Sequence, residues 1–185
     1  MPPMIKNPFA SADARARSAQ HERRLARLIT LEGIDGCGKS TQARLLVEAL
    51  RNAGYGVLHL REPGGVRISE KIRALLLDPD NAEMGDVCEL LLYEAARAQL
   101  VHEVIAPALK AGTTVVCDRF YDSTTAYQGY ADGLDLQTVA RANELAIDGH
   151  RPDLTLVFDI DPRAAHARRA VRDGDEDRLE AKGLE

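Results

Sequence analysis

One short stretch constrains this chain more than any other. The apolar-rich residues Leu28–Glu32 (LITLE) run into the glycine-rich GIDGCGKS, Gly33 to Ser40, and then into a segment carrying Leu45, Leu46, Ala49 and Leu50 at helical spacing. A buried strand, a tight loop and a helix in that order fit the phosphate loop G-x-x-x-x-G-K-[ST]. Its glycines let backbone N–H groups converge on phosphate oxygens, and the N-terminus of the following helix adds a favourable dipole. In such a loop the lysine, here Lys39, reaches the β- and γ-phosphates, and the hydroxyl of Ser40 ligates Mg²⁺. The expected cradle is Gly33, Ile34, Asp35, Gly36, Cys37, Gly38, Lys39, Ser40 and Thr41. A chance glycine turn lacks the flanking strand and helix, so the segment is read as an NTP site.

The rest of the chain follows the same alternation. GVLHL (Gly56–Leu60), TTVVCD (Thr113–Asp118) and LTLVFDI (Leu154–Ile160) are apolar without a two-residue period, the pattern of strands buried on both faces of a parallel sheet. Helices are expected over Lys39–Ala53, Ile68–Leu77, a long stretch from about Asp86 to Ala111, Asp135–Ile147 and Pro162–Arg172. The fold class is therefore α/β: a three-layer P-loop NTPase fold with a parallel sheet of four visible strands and helices on both faces. The domain is expected over 28–185, preceded by a disordered extension, 1–27. Since a new helix is starting where the chain stops at Glu185, a fifth strand is expected beyond its end.

Composition narrows the class. The 185 residues are 45% hydrophobic, with no apolar run near the ~20 residues a membrane helix needs. Cys37, Cys88 and Cys117 form neither a disulfide framework nor a zinc pattern, which points to a reducing, cytoplasmic setting. The net charge of −5 is uneven: six basic residues (Lys6, Arg15, Arg17, Arg23, Arg24, Arg27) oppose only Asp13 and Glu22 in the extension. The body is acidic, so neither nucleic acid nor membrane is an expected partner. Anionic substrates must then be met by a few focused cations.

The phosphate loop alone leaves switch GTPase, motor ATPase and small-molecule kinase open. No N-K-x-D guanine motif occurs, and the chain is too short for the lobes of a motor. A small-molecule kinase needs a second anion clamp. Asp118 and Arg119 leave the carboxyl end of a strand, the edge where open α/β sheets bind ligands, and a guanidinium forks onto phosphate. Asp118 is placed to hold Mg²⁺ through water. Tyr93 and Arg97 in LLLYEAARAQ share one helix face, suited to a base and a phosphate, with Leu90, Leu91 and Ala95 turned to the domain. Taken alone, such a pair is more often a cation–π contact on a surface helix. Arg168, Arg169, Arg172 and Arg178 cluster about the turn DGDED, about 166–180, which suits a flap closing on phosphates. By itself the cluster fits better a solvated helix end whose dipole favours cations.

Together these segments resemble the thymidylate kinase family. LEGIDGCGKSTQ (Leu31–Gln42) looks like its phosphate loop, LREPGG (Leu60–Gly65) its E-P-G-G turn and LLLYEAARAQ its base-stacking helix. DRFYDSTTAYQG is similar to its D-R-x-x-x-S-x-x-A-Y-Q signature, and RPDLTLVFDIDP with DRLE continues the order. The resemblance implies transfer of a phosphoryl group from ATP to dTMP by a homodimer using Mg²⁺. It implies Asp35 on the sugar 3′-hydroxyl, Arg97 and Arg119 on the dTMP phosphate, and Tyr93 stacked on thymine. Ser123, Thr124 and Gln128 would read the base, Tyr127 would exclude ribose, and Glu62 would lie near metal and sugar. Val66 stands where the family usually has Thr. The loop lacks an arginine, as in the bacterial-type arrangement, so Arg168, Arg172 and Arg178 are the flap candidates for transition-state charge. The family continues past an equivalent of Glu185, and part of its adenine pocket comes from there. A monophosphate kinase of other base preference, or a nucleotide-binding fragment without turnover, are the competing readings.

Overall fold

The computed structural model describes residues 26–170. The expectations for the tail before residue 26, and for Arg172 and Arg178, fall outside them. Four parallel strands, β1 (Leu28–Glu32), β2 (Val57–Arg61), β3 (Thr114–Asp118) and β4 (Leu154–Val157), lie in the order β2-β3-β1-β4. Five larger helical segments connect or follow them: α1 (Lys39–Asn52), α2 (Arg67–Leu77), α3 (Asp86–Leu100), α6 (Leu136–Ile147) and α7 (Pro162–Ala170). Short α4 (Ala106–Lys110) and α5 (Tyr121–Thr124) complete the set.

The alternation of side chains along the two central strands divides the core. Leu28, Val115 and Cys117 face one side with Val66, Leu100, Val101, Ile105, Phe120 and Ile147. Leu31 and Val116 face the other with Ala43, Val47 and Val57. Val66, the departure from Thr, is thus a core residue. Strand burial differs from the expectation. β1 and β3 are buried almost throughout; among the described residues β2 and β4 lie at the two ends of the sheet, and Leu58, Leu154 and Val157 are exposed there.

The long helix expected from Asp86 to Ala111 is three segments. A π turn, Val101–Ile105, separates α3 from α4. Pro107 supplies the reason: it has no N–H for the Glu103 carbonyl, and its ring would collide with it in a regular helix. A second π turn, Thr125–Ala131, extends α5 and was not expected from the sequence. Among the described residues, no helix is long and apolar enough to cross a membrane.

Leu100 is fully buried in the larger cluster, whereas Leu145 on α6 is 84% exposed. Leu100→Ala should therefore lower unfolding free energy by about 2–5 kcal/mol, and Leu145→Ala by no more than about 0.5 kcal/mol. Urea denaturation followed by circular dichroism measures both; equal midpoints would refute this core.

Candidate active site

The connection leaving β1 crosses to the β2 side, and the one leaving β3 returns to β4 on the far side. The gap between the carboxyl ends of β1 and β3 is therefore the switch point where such sheets bind ligands. Leu31 pairs with Asp118 there, and the Arg119 N–H donates to the Leu31 carbonyl at 2.9 Å. The E-P-G-G turn joins them, because the Glu62 N–H donates to the Asp118 carbonyl at 3.0 Å.

The phosphate loop is compact enough to need glycine. A Cβ on Gly33, where φ is +144°, would meet Cys37 Sγ and the Phe158 carbonyl at 2.8 Å. One on Gly36, where φ is +83°, would collide with the Ala165 carbonyl of α7. Side chains therefore cannot enter either place, and α7 sits directly on the loop. Lys39 is buried, and its Nζ donates to Asp35 Oδ1 at 2.9 Å. The same oxygen receives Nη2 of Arg119 at 2.8 Å. Burial by itself raises the Asp35 carboxyl, but Arg119 and Lys39 outweigh it and hold it at about 2. Arg119 keeps its proton more firmly than usual despite burial, because Asp35 faces it.

Arg119 has φ +68°, a left-handed conformation at a residue that is not glycine. Such strain is retained where the surroundings dictate a side chain's aim. Its Nη1 donates to Ser123 Oγ at 3.0 Å, and its guanidinium lies 5.4 Å from the Tyr127 ring centroid. Beside it, Ser40 donates to Asp118 Oδ2, while the buried Asp118 Oδ1 has no hydrogen-bond partner. A hydroxyl plus a carboxylate with one free oxygen is a donor set suited to Mg²⁺, which takes few protein ligands and completes its shell with phosphate and water.

Arg97 is placed differently from Arg119. It is 2% exposed and donates to Glu62 (2.8 Å), Glu94 (2.6 Å), Asn143 (3.0 Å) and Thr124 (3.0 Å). Its guanidinium lies over the Phe120 ring, 5.4 Å from the centroid. The face of α3 that turns inward is Glu89, Leu90, Glu94, Ala96, Arg97 and Leu100; Leu91 and Ala95 point to solvent, against expectation. The reason is that α3 packs on a polar cluster as well as on the sheet. Tyr93 is half-buried on the same helix.

The remaining expected residues divide between the two arginines. Ser123 goes with Arg119, and Thr124 is buried against Arg97. Gln128 is buried, its Nε2 donating to Glu89 at 2.8 Å, while Tyr127 is 41% exposed at the mouth. Arg168 is exposed on α7, one turn beyond Ala165. Sequence reasoning missed four acceptors: Glu32, Glu89, Glu94 and Asn143. Only Glu89 and Glu94 carried a signal, as acids at helical spacing from the apolar inward face of α3.

A phosphate-loop lysine, a Ser–Asp pair whose donors suit a divalent cation and an adjacent arginine at the switch point of a parallel sheet make this a P-loop phosphotransferase. The family model for thymidylate kinase matches residues 31–185. A thymidylate kinase of Desulforapulum autotrophicum is 51% identical over 163 residues, covering 85% of this chain and 72% of its own length. One from Geobacter sulfurreducens is 54% identical over 144 residues, covering 78% and 68%. The crystal structure of thymidylate kinase from Ehrlichia chaffeensis superposes with a TM-score of 0.69 at 41% identity, over 77% of this chain and 81% of that one. The chain belongs to the thymidylate kinase family and is an enzyme.

Burial, only partly opposed by Arg97, pushes the Glu62 carboxyl up to about 7, from 4.5 in an exposed setting. Between these values the fold holds a proton that the unfolded chain has released, so stability falls as pH rises through that window. Glu62→Gln has no such proton. Its unfolding free energy relative to the parent should improve between pH 4.5 and 7, by up to roughly 3 kcal/mol. Urea titrations at pH 5 and pH 8 test this, and a pH-independent gap contradicts it.

Proposed function

We propose that this chain is an ATP:dTMP phosphotransferase, moving the γ-phosphoryl group of ATP in line onto the phosphate of dTMP to give dTDP and ADP. The observation that carries the reading is the shared Asp35 oxygen, with Lys39 on one side and Arg119 on the other. Lys39 belongs to the donor's phosphate loop and Arg119 to the acceptor's side, so one carboxylate holds the two phosphate-binding cations together before either substrate arrives. When the substrates bind, the cations turn to phosphate oxygens. That frees Asp35 for the acceptor's 3′-hydroxyl.

The other roles follow from position. Gly33 to Thr41 cradle the ATP phosphates, and Ser40 with Asp118, the latter through water, would hold Mg²⁺, which screens phosphate charge when bound. Arg119, held by Ser123, takes the dTMP phosphate. Arg97 and Glu62 build the floor of the acceptor site, while Tyr93, Thr124 and Gln128 meet thymine. Arg168 lies one turn beyond the contact between α7 and Gly36, and with Arg172 and Arg178 it would bring charge to the transition state. The reading includes a cytoplasmic homodimer, supported by the exposed apolar residues Leu75, Val87 and Leu91 on neighbouring α2 and α3.

Lys39→Ala should lower kcat by well over tenfold, about 1.4 kcal/mol or more of transition-state stabilisation, with dTMP binding kept. Arg119→Ala should instead weaken dTMP binding. Coupled ADP-release assays with dTMP, UMP, CMP, AMP and GMP, beside calorimetric dTMP binding, decide it; comparable rates on the other monophosphates overturn the substrate assignment.

Tyr127 stands exposed beside Arg119, where it would crowd a 2′-hydroxyl. Tyr127→Phe should keep the preference for the deoxy sugar, and Tyr127→Ala should raise kcat/KM for ribosyl-TMP relative to dTMP. An unchanged ratio in the alanine variant removes this role.

A further inference from the structure

Glu32, the last residue of β1, has no phosphate-loop role, yet it is 5% exposed and its carboxylate is fully engaged. Oε1 accepts from the Phe120 N–H at 2.7 Å, and Oε2 from Ser123 Oγ at 2.6 Å. Both donors belong to the segment that follows Arg119. Ser123, having given its proton to Glu32, presents its lone pairs to Arg119 Nη1 at 3.0 Å. The opposite edge of the same guanidinium is held by Asp35.

We propose that Glu32 is a positioning residue of the acceptor site, a buried carboxylate that sets the Ser123 hydroxyl as an acceptor and thereby aims Arg119. The argument is one of donor direction. A serine hydroxyl has one proton and two acceptor positions. Had Ser123 no anionic partner, its proton would be free to point towards Arg119, where it would repel the guanidinium. Glu32 removes that option. The Phe120 N–H bond fixes the backbone just after Arg119, whose left-handed φ is itself in need of support. The charge also acts directly, since Glu32 and Arg119 attract one another. The chain from Glu32 through Ser123 and Arg119 to Asp35 and Lys39 thus links the end of β1 to both phosphate sites.

This rests on the reading that Arg119 binds the acceptor phosphate, and the experiment separates the two. Glu32→Gln keeps the volume but offers one acceptor where two separate oxygens now serve, so one of the two bonds is lost and an N–H is turned on its donor. With ATP saturating, Glu32→Gln should raise KM for dTMP by about tenfold or more, while KM for ATP at saturating dTMP changes less than about twofold. Ser123→Ala should shift KM for dTMP in the same direction. The double variant should be no worse than Glu32→Gln alone within about twofold, because both act through one link. Thermal midpoints recorded alongside separate this from simple destabilisation. A lower midpoint with unchanged KM for dTMP, an equal rise in both KM values, or multiplicative effects in the double variant would each overturn the proposal. If Glu32→Gln does not fold, Ser123→Ala decides alone, and an unchanged KM for dTMP then overturns it. Should Arg119→Ala leave dTMP affinity intact, the acceptor reading and this inference fall together. If Arg119→Ala weakens dTMP binding but neither Glu32→Gln nor Ser123→Ala does, the inference alone falls.

Discussion

Leu31 stands opposite Asp118 in the parallel ladder between β1 and β3, and Arg61 stands opposite Asp118 from the other side. That register brings three chain exits to one level: the phosphate loop from β1, the E-P-G-G turn from β2 and the Asp118–Arg119 pair from β3. A slip of one residue would turn every alternate side chain to the wrong face, so the apolar alternation that fills the core also fixes where the polar edge falls. Val115 and Cys117 have to enter one half of the core and Val116 the other. Asp118 must then come last, with Ser40 within reach.

Holding charge at that edge costs stability. Glu32, Lys39, Glu62, Glu89, Glu94, Arg97 and Asp118 are all buried. Ion pairs of this kind often recover no more than the desolvation penalty, and apolar residues of equal volume would stabilise the fold as well or better. The buried Glu62 Oε1 and Glu94 Oε2 lack hydrogen-bond partners, so even the pairing around Arg97 is incomplete. A cluster so expensive is explained by what it holds still. Around Arg97 the turn after β2, α3, α5 and α6 are tied to one guanidinium through Glu62, Glu94, Thr124 and Asn143.

What the sequence made legible was local. The phosphate loop, its strand and its helix occupy consecutive positions, and each announces itself by glycine placement or apolar spacing. Asp118 and Arg119 were visible for the same reason, as the polar end of an apolar run. The site residues that escaped are those whose meaning lies across the chain. Glu32 looks like the polar end of a strand until Ser123, 91 residues later, is folded onto it. Asn143 sits inside an ordinary helix, 46 residues from Arg97. Tyr93 and Arg97 were paired by their spacing, but the wider fold gave Arg97 to Phe120 and to four acceptors. The positions of β2 and β4 at the ends of the sheet, among the described residues, were hidden because an apolar run does not say how many strands lie beside it.

The two arginines show how burial separates roles that residue type leaves equal. Arg97 has two carboxylates, a hydroxyl and an amide around it, and moving it would strand Glu62 and Glu94 in the interior. Breaking a buried pair leaves an uncompensated charge, which costs about 3–5 kcal/mol. Arg119 is 17% exposed, and its carboxylate partner Asp35 is 48% exposed, so separating them leaves both within reach of water. An incoming phosphate can replace Asp35 on Arg119 at small cost, whereas on Arg97 it would have to displace an internal anion. In the proposed function, this energetic asymmetry is the reason for giving the substrate's phosphate to the arginine that ends β3. The arginine of α3 would then shape the pocket beside it.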